Sequence, residues 1–134
     1  MPSLGAQATR FAIIGAIGFV FDGGILTLLN SVYGIDLLYA RICSFSVAVT
    51  VTWFLNRQRT FASQKSERAA SEWGRYAIIN GVGAMLNMGV FFWLIQHFNK
   101  FREMPLLPLA VAASIALVFN FFASKHIAFR QQQT

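Results

Sequence analysis

Four apolar runs alternate with short polar stretches, at roughly 11–32, 38–55, 76–98 and 106–124. Each is close to the length a helix needs to cross a bilayer, about 20 residues for about 30 Å of hydrocarbon. Only helices and closed barrels satisfy their backbone in lipid, and these runs lack the alternation of barrel strands. The pattern predicts an all-α integral membrane protein with four transmembrane helices, one domain over residues 1–134. Tyr33–Asp36 (YGID) reads as a tight turn, 57–75 as a polar loop, and Asn99–Pro105 as the link before the last helix, with Pro105 at its start. The first run is longer than the 7–15-residue core of a signal peptide and carries a charge, so it reads as a retained helix.

Composition agrees. The chain is 56% hydrophobic and 12% charged, with 14 Phe, against about 25% charged in ordinary soluble domains. The net charge is +6. Because the cations cluster between apolar runs, topology and anionic lipid account for it and nucleic acid does not. Arg10, Arg57, Arg59, Lys65, Arg68, Arg75, Lys125 and Arg130 fall on one side of the membrane; only Arg41, Lys100 and Arg102 fall on the other. The positive-inside rule then puts both termini and the central loop in the cytoplasm. The lone Cys43 reads as packing.

The halves resemble each other. RFAIIGAIGFVFD (Arg10–Asp22) aligns without a gap to RYAIINGVGAMLN (Arg75–Asn87), and WFLNRQRTF (Trp53–Phe61) to FFASKHIAF (Phe121–Phe129). A two-helix unit returns the chain to its starting side, so two such units form a tandem parallel repeat about an axis along the membrane normal.

These residues carry a resemblance to a known family. The first helix opening on Arg-Phe, the second ending in Asn56-Arg57-x-x-Thr60-Phe61, the RYAIING opening of the second hairpin and the NFFASKHIAF close resemble the GtrA-like family, over about Arg10–Phe129. The resemblance implies a role in cell-surface polysaccharide synthesis: moving a polyprenyl-phosphate-linked sugar, such as undecaprenyl-phosphate glucose, from the inner to the outer leaflet of the cytoplasmic membrane. A membrane glycosyltransferase would use it there.

Such a substrate has an apolar tail, a phosphate and a sugar. Phosphate calls for Arg or Lys at headgroup level. Arg57, Arg59 and Lys125 at the cytoplasmic mouth and Arg41 in the outer half are the candidates, with lipid-facing anchoring as the competing reading. Arg10 and Arg75 read as anchors. The sugar calls for hydrogen-bonding groups inside the bundle: Asp22 and its counterpart Asn87, with Asn56, Asn80, Asn120 and Thr60. Asp22 is the only charge in the first run, about 18 Å in from Arg10 at 1.5 Å per residue. An Asp at a helix centre costs about 2.5–3.5 kcal/mol on insertion scales, so it faces a cavity or a partner rather than lipid. It could grip sugar hydroxyls, pair with Arg41 or carry a proton. The glycines of the first and third helices read as packing sites, and Asp22-Gly23-Gly24 as a possible break.

No paired carboxylates, metal spacing, phosphate loop or Ser-His-Asp set is present, so neither an enzyme nor a metal or cofactor is expected. Four helices give little room for a sugar, which points to a homodimer. Two other functions use the same features: a small proton-coupled multidrug exporter, and a non-transporting scaffold for a glycosyltransferase.

Overall fold

The computed structural model describes residues 2–130. Its helices are α1 (Leu4–Thr27), α2 (Leu37–Leu55), α3 (Ala69–His97), the short α4 (Asn99–Glu103) and α5 (Leu106–Ala123), and the described residues include no strand. With the wider turns that extend three of them, four segments are long and apolar enough to cross a membrane: Leu4–Val32, Leu37–Thr60, Ala69–His97 and Leu106–Ala128. The all-helical, multi-pass architecture expected from the hydropathy pattern is the one found.

Three boundaries differ from expectation. The first helix begins at Leu4, where Ser3 Oγ accepts from Ala6 N at 3.2 Å, and the third begins at Ala69. Both extensions lie outside the apolar runs, and each buries one polar side chain, Gln7 and Glu72. The loop correspondingly shrinks to 61–68. Asn99–Glu103, within the expected link, winds into a helical turn. The break that Asp22-Gly23-Gly24 could have formed, the alternative to packing, does not occur. The helix runs through it, with Thr27 Oγ1 donating to Gly23 O at 2.8 Å. The YGID turn does form: Gly34 takes φ +69°, a conformation open to glycine, and Asp36 caps α2 by accepting from Leu38 N.

α1, α2 and α5 each finish in a five-residue π-helical turn, at Leu28–Val32, Asn56–Thr60 and Ser124–Ala128. The latter two close on Phe61 N→Asn56 O and Phe129 N→Ser124 O bonds, both 2.8 Å. They deliver Phe61 and Phe129 into the core, fully buried and stacked at 4.8 Å between ring centroids. Phe11 packs on Phe61 at 6.1 Å and Tyr76 on Phe129 at 5.8 Å.

α1 packs mainly on α2 and α3 on α5, and the two pairs meet chiefly through α2 and α3. Contacts recur at positions paired by the sequence alignment. Arg10 Nη1 donates to Arg59 O at 3.0 Å, while Arg75 donates to Ile127 O at 3.1 Å and Ala128 O at 3.0 Å. One site differs in size. Trp73 closes the crease between α3 and α2, its indole N–H donating to Thr50 Oγ1 at 3.1 Å. Ala8 is its counterpart, and an apolar cleft of about 350 Å³ remains between α1 and α5.

Candidate functional site

The four spans enclose a cavity of about 290 Å³, lined by polar groups from each: Asp22 on α1, Arg41 and Thr52 on α2, Asn80 and Asn87 on α3, and Asn120 on α5. Two glycines set how closely its walls approach. A Cβ on Gly18 would overlap Thr52 Cγ2, and one on Gly83 would overlap the Asn120 side chain. Gly18 aligns with Gly83, and Thr52 with Asn120. Each hairpin is thus pinched where a small residue faces a polar one. Gly15, Gly23 and Gly24, also read as packing sites, meet nothing within 4 Å.

Asp22 is tethered on one side only. Its Oδ2 accepts from Arg41 Nη1 at 3.0 Å. Its Oδ1 is buried and has no hydrogen-bond partner, and neither has Asn120 Oδ1. The Asp22 side chain is 18% exposed and that of Arg41 55%, so the pair runs from the cavity toward the surface. Asn80 spends its amide N–H on Tyr76 O at 2.8 Å. The site therefore holds a balanced ion pair and two buried acceptors without a partner. Such a surface attracts neutral donors, hydroxyls above all, because an unpaired buried acceptor costs about 1–3 kcal/mol until it is met.

The remaining candidates lie elsewhere. Asn56 and Thr60 are buried in the core: Asn56 Nδ2 donates to Tyr76 Oη at 3.1 Å and Thr60 Oγ1 to Asn56 Oδ1 at 2.7 Å. They brace the end of α2 against α3 and do not line the cavity. Arg57 pairs with Glu72 (Nε to Oε1, 3.4 Å) and also donates to Ser66 O at 2.8 Å. Arg59 lies at the same end of the bundle and is exposed, and Lys125 sits on the aligned turn of the other hairpin.

Glu72 is a structural residue that the sequence reading missed. It is wholly buried and accepts from Trp53 Nε1 at 3.1 Å and from Ser66 N, besides pairing with Arg57. One of two acids in a basic stretch, beside Glu67, gives no periodic signal; its one hint is its place in the first turn of a helix, where acids are favoured. Among the described residues no three His, Cys, Asp or Glu side chains converge as a metal site would require.

In comparison with known proteins, the family model described as GtrA/DPMS, transmembrane domain, matches residues 10–129.

Proposed function

This chain belongs to the GtrA/DPMS transmembrane-domain family, and from that premise we propose that it moves a polyprenyl-phosphate-linked sugar, such as undecaprenyl-phosphate glucose, between leaflets of the inner (cytoplasmic) membrane. Membership ties it to glycosylation-related processes that use lipid-linked sugars. The observation that carries the finer reading is the polar cavity between the four spans, with two unpaired acceptors on the residues that line it.

In this reading the sugar hydroxyls donate to Asp22 Oδ1 and Asn120 Oδ1, Asn87 adds a neutral amide, and the prenyl tail stays in lipid. Arg41, anchored to Asp22 but more than half exposed, meets the phosphate on the outer side. The protein acts as a carrier rather than an enzyme, and a membrane glycosyltransferase uses what it delivers. The two hairpins form a tandem parallel repeat with both termini cytoplasmic, a scheme supported by the charge asymmetry and the recurring contacts. A cavity of about 290 Å³ is at the low end of ligand clefts, roughly 300–1,000 Å³, which favours a homodimer for a whole sugar. The proton-coupled exporter is weaker, because a cationic drug would have to displace the guanidinium already held by Asp22.

The test is leaflet exchange of a labelled polyprenyl-phosphate sugar in proteoliposomes holding the purified chain. Exchange is expected to exceed that of protein-free vesicles. Equal rates would sink the proposal, and copurification with a glycosyltransferase without exchange would favour the scaffold.

A further inference from the structure

The two hairpins differ at the end of the bundle that carries the central loop. In the second, Arg75 spends Nε and Nη2 on the carbonyls of Ile127 and Ala128. In the first, Arg10 makes a single such bond, Nη1 to Arg59 O at 3.0 Å. The residue whose carbonyl it holds is itself an arginine, where the aligned position of the second hairpin has Ile127. Arg10 and Arg59 then line one depression of about 480 Å³, with Gln58 beside them and Ile13, Ile14 and Ala62 completing it.

Neither guanidinium has an acidic partner: the ion pairs among the described residues are Asp22–Arg41 and Glu72–Arg57. Arg57, next to this depression in sequence, is neutralised by buried Glu72 and does not line it. Two guanidiniums without an acidic partner, over an apolar floor, match a phosphate ester that has one face in water and a hydrocarbon chain in lipid. Guanidiniums present several N–H donors to phosphate oxygens, and Ile13 and Ile14 lead toward the bilayer.

We infer that Arg10 and Arg59 form a docking site for lipid-borne phosphate at this end of the bundle, present in the first hairpin only. The inference rests on the translocation reading for its biological sense but not for its geometry. The phosphate comes either from the polyprenyl-phosphate sugar or from bulk anionic phospholipid. Arg10 thereby becomes a ligand-binding residue as well as a clamp on the end of α2.

The experiment uses the full chain in phosphatidylcholine nanodiscs, titrated with a fluorescent polyprenyl phosphate. Arg59→Ile installs the side chain found at the aligned position and is expected to weaken binding about tenfold or more, as loss of a charge-assisted hydrogen bond does. Arg59→Lys keeps part of the affinity, and Lys65→Gln, which removes one loop charge outside the site, leaves it unchanged. If Arg59→Ile is not recovered folded, Arg59→Gln makes the same comparison. Competition by phosphatidylglycerol at equal strength assigns the site to bulk headgroups; failure to compete assigns it to the polyprenyl phosphate. Wild-type affinity in the Arg59 variants, or an equal loss in Lys65→Gln, overturns the site. A wild-type chain that binds but does not accelerate exchange overturns translocation and leaves the site standing; exchange with unimpaired binding in the Arg59 variants does the reverse.

Discussion

Asp22 illustrates what one side chain can do when only half of it is occupied. Arg41 holds Oδ2 at 3.0 Å, and Oδ1 is buried without a hydrogen-bond partner. Asparagine at this position keeps an acceptor oxygen and the shape, whereas alanine removes both and leaves Arg41 without its partner. If hydrogen bonding to the sugar is the role, Asp22→Asn retains most of the exchange rate. Asp22→Ala loses about tenfold to a hundredfold, the equivalent of about 1.5–3 kcal/mol for a hydrogen bond to a charged group. The proteoliposome assay reads both. Normal exchange in both variants would remove Asp22 from the mechanism; loss in both would make the charge essential. Asn56 and Thr60 teach the opposite lesson. Their residue types suit a sugar site, yet their groups are consumed by Tyr76 and by each other, and no sequence pattern announces that.

At the basic end Glu72 joins the elements beside the aromatic core of Phe11, Phe61, Tyr76 and Phe129. It ties α3 to Trp53 and Arg57 at the end of α2 and to the backbone of the intervening loop. Removing one partner of a buried ion pair costs about 3–5 kcal/mol, because the other charge is left uncompensated. Glu72→Ala is therefore expected to lower the melting temperature of the detergent-solubilised protein markedly. Glu72→Gln, which keeps an acceptor for the indole, is expected to do so less. An unchanged melting temperature in Glu72→Ala would mean that the clasp adds nothing to stability. Helix existence was legible from hydropathy, since an apolar run of transmembrane length has few alternatives in lipid. Helix starts were less so: Leu4 and Ala69 precede the apolar runs, on turns whose buried faces carry Gln7 and Glu72.

For the whole molecule, the orientation proposed from the basic residues is one that labelling can check. In a Cys43→Ala background, Lys100→Cys in intact cells should react with a membrane-impermeant maleimide, and Lys65→Cys only after permeabilisation. The reverse pattern would overturn the cytoplasmic placement of the termini and central loop. The proposed pseudo-symmetry also has a physical limit. Contacts that close the core recur, Phe11 on Phe61 and Tyr76 on Phe129, because both hairpins solve one packing problem. The groups with unmatched chemistry do not: Asp22 faces Asn87 in the alignment, Arg59 faces Ile127, and Trp73 faces Ala8.

Local sequence alone determined what local physics can decide. Run length and apolarity settle the four spans, glycine at position 34 suits the turn, and the aligned motifs carry the family, now matched over residues 10–129. The tertiary structure decided which polar groups are free. A side chain's residue type sets what it can bond, but whether it is already bonded depends on neighbours far along the chain. Arg57 is answered by Glu72 and Arg41 by Asp22, while Arg59 and the second oxygen of Asp22 are left open.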